Sequence, residues 1–358
     1  MNTVKVGGFA DINEVFIGSD HPVSIQTMWK DKLLLRDTSE KKYVVERIEG
    51  LSNLGCSILR FSVPDIESAD VLGKLCTLTT MPLVADIHFD YKIALHILDF
   101  PISKIRINPG NIGSKEKIHT VLQKALDKNV PVRIGVNGGS MPVDLRKAVD
   151  DGIKNHTEAL IEAAERELAI FDEHNFNQVI VSIKASSVKE TIAANTAFAA
   201  RNDVPLHVGV TEAGPLIAGV VRNTAALYNL LCQGIGNTIR ISLSDTMEKE
   251  VIAGREILLA VNECCGGVRI ISCPRCGRCS FDTHLWTEKW QTYLYSLRKN
   301  ITVAFMGCPV NGPGEARNAD IGITGSDSKV LIFCNGKIKH RLDAALAEKV
   351  FKEELDSI

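Results

Sequence analysis

No stretch of this chain stays apolar long enough to cross a bilayer. Residues 1–20 also lack a basic segment followed by an apolar one. They include Gly7, Gly8 and Asp11, so no export leader is expected. Neither sign of charge is in excess: the formal net charge is −2, and nothing global draws the chain to nucleic acid or to a membrane. No low-complexity tract occurs, and no repeat beyond a strand–helix unit. These absences point to a soluble, cytoplasmic protein whose 358 residues suffice for one large domain and one small one.

Cysteine, by contrast, is plentiful, with ten residues. A long chain without a leader argues against a disulfide framework. Cys56, Cys76 and Cys232 stand singly in apolar or helical contexts and read as buried small hydrophobes. Cys264 and Cys265 are adjacent, a poor geometry for chelating one ion together. Cys334 precedes Asn335-Gly336, a hairpin signal. Cys273, Cys276, Cys279 and Cys308 remain.

Eight short runs rich in Val and Ile recur at 22–28, 57–63, 82–87, 104–108, 131–137, 178–186, 205–211 and 238–244, as buried parallel strands do. Segments of helical periodicity lie between many of them, among them 39–54, 114–128, 145–174 and 215–232. Eight strand–helix units are the signature of a (β/α)8 TIM barrel, an α/β fold; an open doubly wound sheet is the alternative that needs no closure. Residues 4–18 read as a hairpin that closes the barrel's other end. After a linker around Gly266-Gly267 a small α+β domain is expected. It comprises a strand at 267–272, a helix at 287–298, strands at 301–306 and 321–324, a hairpin at 329–339 and a helix from 343. The domains are therefore 1–265 and 266–358.

Polar residues recur two apart near the strand ends, so each set shares a face. Arg60 pairs with Ser62, Asp86 with His88, and Arg106 with Asn108. Arg133 aligns with Gly135 and Asn137, and Lys184 with Ser182 and Ser186. His207 aligns with Gly209 and Thr211, and Arg240 with Ser242 and Ser244. A charge inside an apolar strand is costly unless paired or bound to something. Seven strands with this habit imply a functional mouth at the barrel's C-terminal end. Arg60, Arg106, Arg133, Lys184 and Arg240 converging there would repel one another without an anion, and so many cations suit a diphosphate. The loops at 108–113 and 137–140 could cap phosphate oxygens with backbone N–H groups. One or two of the arginines are expected instead to pair with Asp86 or Glu212. Asp86 and His88 could bind hydroxyls, move protons or ligate zinc, or could simply be a hydrogen-bonded core pair. Glu212 is a candidate acid or base, or a partner of an arginine.

Cys273, Cys276 and Cys279 form the C-x-x-C-x-x-C run of ferredoxins. Cys308 would then be a fourth thiolate of a closed cluster. Alternatively Glu315, in the same Gly/Pro loop as Cys308, supplies a harder and more exchangeable ligand that a substrate oxygen could replace. Zinc fits less well, because a zinc ribbon carries two C-x-x-C knuckles and here the distal cysteine stands alone.

The stretches ILRFSVPD, LVADIHFDY, KIRINPGNIG, VRIGVNGGS, SIKAS, HVGVTEAG, IRISLS, SCPRCGR and GCPVNGPGE resemble, in order and over nearly the whole chain, the bacterial 4-hydroxy-3-methylbut-2-enyl diphosphate synthase family. The resemblance implies an oxidoreductase of the methylerythritol phosphate route to isoprenoids. Such an enzyme reductively opens 2-C-methyl-D-erythritol 2,4-cyclodiphosphate with two electrons and loss of water. It implies a TIM barrel followed by an iron–sulfur domain like those of sulfite and nitrite reductases, in the short two-domain form. By motif, a [4Fe–4S] cluster falls on Cys273, Cys276, Cys308 and Glu315, leaving Cys279 a bystander. The diphosphate ligands fall on Arg60, Arg106, Arg133, Lys184, Arg240 and Ser242, with Asn137 nearby. Asp86, His88, His207 and Glu212 fall on pocket positions, and Glu212 or His88 is expected to deliver a proton. Implied partners are flavodoxin or ferredoxin as electron donor and a second copy of the chain, whose cluster domain closes over the barrel. Two rivals make different predictions. A pterin-type synthase with a structural cluster would survive cluster loss. An iron–sulfur carrier or sensor would have a closed four-thiolate cluster and no ligand in the mouth.

Overall fold

The computed structural model describes residues 2–9, 11–262, 267–297, 299–308, 314, 316–325 and 329–358, with the backbone alone described at Ser140. They form two compact units, Met1–Cys265 and Gly266–Ile358.

The first unit begins with an antiparallel hairpin of β1 (Val4–Gly7) and β2 (Glu14–Ile17). Val4 and Val6 are buried while Lys5 between them is exposed, the alternation of a one-sided ribbon. Val4, Val6 and Ile17 pack on Ile58, Val84 and Ile180, which sit at or near the starts of three barrel strands. The hairpin therefore plugs the N-terminal end of the barrel, as expected from the sequence.

Eight parallel strands follow: β3 (Ser24–Met28), β4 (Ile58–Ser62), β5 (Leu83–Asp86), β6 (Lys104–Ile107), β7 (Val132–Asn137), β8 (Val179–Lys184), β9 (His207–Val208) and β10 (Thr238–Ile239). Their ladder order is β8-β7-β6-β5-β4-β3-β10-β9. A parallel bridge from Val181 to Leu206 joins the two ends, so the sheet closes. β9 and β10 are shorter than the apolar runs at 205–211 and 238–244. Beyond Val208 and Ile239 the backbone continues without a full ladder.

Several of the intervening helices have a local reason to start. Asp37, Asp65, Asp90, Ser187 and Thr246 accept backbone N–H bonds at the N-termini of α1 (Thr38–Asn53), α2 (Ile66–Leu75), α3 (Tyr91–Ile97), α8 (Val188–Ala199) and α10 (Met247–Val261). The short α4 (Pro109–Ile112) and α5 (Lys115–Asp127) follow β6, and α9 (Leu216–Leu231) follows β9. The segment 145–174 is two helices rather than one: α6 (Val143–Asp150) and α7 (His156–Glu173). Gly152 takes a left-handed φ of 70° between them, and Asn155 with Glu158 forms a capping box that starts α7 afresh. Cys232, expected to be buried, is exposed at the C-cap of α9. Cys56 and Cys76 are buried, and burial pushes both thiols up to about 12, leaving them inert.

In the second unit β11 (Val268–Ser272), β12 (Ile301–Phe305) and β13 (Ile321–Gly325) run parallel. β14 (Lys329–Cys334) and β15 (Lys337–Asp343) add antiparallel. Asn335 and Gly336 both have positive φ, the two-residue turn their sequence announces. α11 (Thr283–Ser296) and α12 (Ala347–Ser357) bury Trp290, Leu294, Phe351 and Leu355 in one core with Val303, Ile323 and Ile332. α11 starts four residues earlier than periodicity suggests, because Asp282 caps it. α12 starts later, because 337–343 remains strand.

Candidate functional site

The barrel strands bring a set of cations to one interior. Arg60 lies on β4, Lys104 and Arg106 on β6, Arg133 on β7, Lys184 on β8, and Arg240 just past β10. Arg133 is 2% exposed and Lys104 not at all. Asp86 is the anion at their centre. Its Oδ1 accepts from Arg106 Nη1 at 3.0 Å, and Arg60 Nε lies 3.5 Å from its Oδ2. Burial would raise this carboxyl, but Arg60, His88 and Arg106 hold it well below the usual carboxylate range. Asp86 is thus a fixed negative charge, not a proton carrier near neutrality. His88 is half exposed, 3.1 Å from Arg106 Nη1 through Nε2, at the solvent edge of the network.

Two glycines make this packing possible. A Cβ on Gly135 would lie 2.2 Å from Arg106 Nε, so glycine on β7 is what admits the guanidinium. Arg106 Nη2 and Asn108 Nδ2 both donate to Gly135 O. A Cβ on Gly209 would lie 2.2 Å from Arg240 O, so the segments after β9 and β10 approach closely only because Gly209 has no side chain. Arg240 is placed by that approach; its Nη1 donates to Ser242 Oγ at 2.6 Å. Lys184 Nζ and His207 Nε2 are 3.2 Å apart, and His207 Nδ1 faces Thr238 Oγ1 at 3.4 Å. Asn137 ends β7 opposite Lys184, half buried.

The expected pairing of arginines with carboxylates holds for Asp86 but not for Glu212. Glu212 is exposed on the turn after β9, at a φ of 51°, and among the described residues it joins no ion pair. The second counter-ion is Glu250 on α10, 1% exposed. It accepts from Thr27 Oγ1 at 2.6 Å and from the Leu243 N–H at 2.9 Å, with Lys30 at 2.9 Å and Arg240 at 3.4 Å. Sequence reasoning missed Glu250, because an acidic residue in a helix's first turn is ordinary. It missed Lys104 too, at the boundary of an apolar run. Six basic side chains thus face two buried carboxylates. Burial lowers Arg60 to about 10 against the pull of Asp86, and burial followed by the neighbouring cations pushes Arg133 and Lys184 well below their ordinary values. Arg133 Nε and Nη1, Arg240 Nε and Arg106 Nε are buried without a hydrogen-bond partner. Donors left over in this number fit an oxyanion with several acceptor atoms.

In the second unit the thiols follow the ends of adjacent parallel strands. Cys273 comes directly after β11 and donates its N–H to Phe305 O at 2.9 Å. Cys308 lies three residues beyond β12 and is buried; Cys276 is exposed, past a left-handed Arg275 at φ 70°. A Cβ on Gly307 would fall 3.2 Å from Cys273 Sγ and 2.8 Å from Cys279 Sγ, so the missing side chain leaves both sulfurs beside the backbone that presents Cys308. Cys279 also donates through Sγ to Phe281 O at 3.0 Å. Among the described residues no three His, Cys, Asp or Glu side chains gather around one metal-ion position. A single zinc would require that, with thiolates about 2.3 Å from one point. An iron–sulfur cluster takes each thiolate on a different iron and needs no such convergence, and the room that Gly307 leaves beside the Cys273 sulfur is compatible with it. Glu315, the 309–313 loop and the pair Cys264 and Cys265 lie outside the described residues.

A GcpE TIM-barrel domain model matches residues 8–255, and a GcpE protein C-terminal domain model matches 269–357. A Treponema denticola protein named 4-hydroxy-3-methylbut-2-en-1-yl diphosphate synthase (flavodoxin) is 50% identical, over 99% of this chain and 98% of its own. Proteins of the same name from Treponema pallidum and Clostridium tetani are 47% and 42% identical, over 99% and 98% of this chain and 91% and 97% of theirs. Among the described residues no helix is long and apolar enough to cross a membrane.

Proposed function

This chain belongs to the GcpE family, and on that premise we propose that it is a 4-hydroxy-3-methylbut-2-en-1-yl diphosphate synthase with flavodoxin as electron donor. Its substrate is 2-C-methyl-D-erythritol 2,4-cyclodiphosphate. One ring C–O bond to phosphate breaks, a hydroxyl leaves as water, and two electrons enter as the alkene forms. The observation that carries the reading is the excess of six basic side chains over two carboxylates inside the barrel. A bare electron carrier has no use for such a mouth.

Arg60, Arg106, Arg133, Lys184 and Arg240, with Ser242 and Asn137, hold the two phosphates. Their preorganised donors stabilise the charge that appears on phosphate as the ring opens. Asp86 keeps Arg60 and Arg106 aimed, and Glu250 does the same for Arg240. His88, at the exposed edge of the network, or Glu212 on the rim supplies the proton with which the hydroxyl departs as water. His207 orients Lys184. Cys273, Cys276 and Cys308, with Glu315, hold a [4Fe–4S] cluster in the domain 266–358. When bound, the cluster supplies the two electrons one at a time. A homodimer in which the partner's cluster domain serves each barrel completes the reading.

The test is product formation by anaerobically reconstituted protein given the cyclic diphosphate and a strong one-electron reductant, followed by mass spectrometry. Hydroxymethylbutenyl diphosphate made only by protein carrying about four irons is the expected result. No product from such protein overturns the assignment.

A further inference from the structure

Beneath the arginines the barrel holds a second tier of polar groups. Lys104 lies two residues before Arg106 on β6 and so faces the same interior, one layer deeper. It is wholly buried, and its Nζ donates to Gln26 Oε1 at 3.2 Å, a neutral acceptor that is itself 1% exposed. The carboxylates that could neutralise it are engaged elsewhere: Asp86 by Arg60 and Arg106, and Glu250 by Lys30 and Arg240. A buried ammonium with one neutral partner pays a large desolvation cost, which dropping its proton relieves.

We propose that Lys104 is the floor of the anion site and takes up a proton when the cyclic diphosphate binds. This rests on the functional reading above for the identity of the anion. The charges around Lys104 are mostly positive and so favour the exchange. Arg60 on β4, Arg106 on β6 and Arg133 on β7 are cationic, Lys184 on β8 shares a contact with His207 on β9, and Asp86 on β5 is the sole carboxylate on those strands. Burial first, then Arg133 and Arg60, hold Lys104 well below the ordinary amine range. Burial, then Lys184, does the same to His207. A dianion in the mouth reverses the local field and restores the amine's affinity for its proton. The bound form therefore has the higher proton affinity. Ligand affinity is greatest below the free-state value and falls as pH rises, by up to about tenfold per pH unit for one proton, until the bound-state value is passed.

The ligand allows a clean measurement. Each phosphate of the cyclic diphosphate is linked to carbon and to the other phosphorus, leaving one strongly acidic oxygen apiece, so its own charge does not change near neutrality. Cluster-loaded full-length protein, anaerobic and without reductant, is titrated with it calorimetrically at about pH 7.5 in two buffers of different ionisation heat. The expected result is uptake of about one proton per ligand, with most of it lost in Lys104→Met. Zero uptake in the wild type overturns the proposal without any variant, as does unchanged uptake in a Lys104→Met protein whose melting temperature matches wild type. A binding isotherm present with no proton linkage sinks only this inference; no binding at all sinks the functional reading as well.

Discussion

In the barrel the chemically important side chains hang from strands. Arg106 and Arg133 are anchored by parallel ladders on both sides and Lys184 by a ladder on one, while glycines at 135 and 209 make room for the Arg106 side chain and the Arg240 backbone. In the C-terminal unit the thiols sit on turns just beyond strand ends, and Cys276 is exposed. The barrel holds its binding groups in place before any ligand arrives, and it bears the cost of buried like charges continuously. The smaller unit leaves its donors in loops, where a metal group would supply much of the order when it binds. One unit is preorganised by its fold, and on the proposed function the other is completed by its cluster.

The sharpest way to break that contrast is a pair of substitutions, one in each unit. Cys308→Ser should cut turnover by about a thousandfold or more, as losing one member of a unit that acts together does. Iron content should fall, while the affinity of the barrel for the cyclic diphosphate stays within about threefold. Arg106→Met should do the reverse: iron unchanged, and ligand affinity down by about 30- to 150-fold, the loss of charged hydrogen bonds worth about 2–3 kcal/mol. Iron analysis and calorimetry on both variants decide it. If Cys308→Ser abolished ligand binding, the two sites would not be separable.

Asp86→Asn tests the claim that the barrel's charges are held under strain. Removing the carboxylate leaves Arg60 and Arg106 buried without their counter-ion, at a cost of about 3 kcal/mol. The melting temperature should drop by roughly 6–12 °C for a unit of this size. The cyclic diphosphate should raise it more than in the wild type, because a bound dianion replaces the lost negative charge. A variant that melted like the wild type would show that Asp86 does not balance the arginines.

What the sequence reveals follows the same division. The strands were legible because apolar β-branched runs carry polar residues at a spacing of two, and a buried charge in such a run stands out. Arg60, Arg106, Arg133, Lys184 and Arg240 were found that way, and the structure brings all five together. Glu250 was invisible because Thr27 and Lys30, two of its partners, lie more than 200 residues away in the sequence, and nothing in α10 distinguishes an inward acid from an outward one. The break between α6 and α7 was present in Gly152 and the capping pair Asn155 and Glu158, but the helical period on either side masked it. The thiol spacing raised the expectation of a metal group. It did not show that Cys279 lies as close to Gly307 as Cys273 does.

The last test concerns Glu167, a second acid that helical periodicity could not single out. It projects from α7, 4% exposed, toward the backbone of Gly110 at the start of α4, and its Oε2 has no partner. Burial raises its carboxyl to about 8, partly offset by a hydrogen bond from Gly110 and by Arg106. The folded protein therefore keeps a proton that the unfolded chain loses above about pH 4.3. The stability this contributes is complete below the unfolded value and is lost as pH rises through about 8. Glu167→Gln carries no such proton, so its stability should track the wild type near pH 4 and exceed it by about 2–4 kcal/mol near pH 9. Denaturant unfolding of both proteins across that range reads the difference directly. Parallel curves would mean that Glu167 ionises freely, and that the loop after β6 does not rest on a neutral acid.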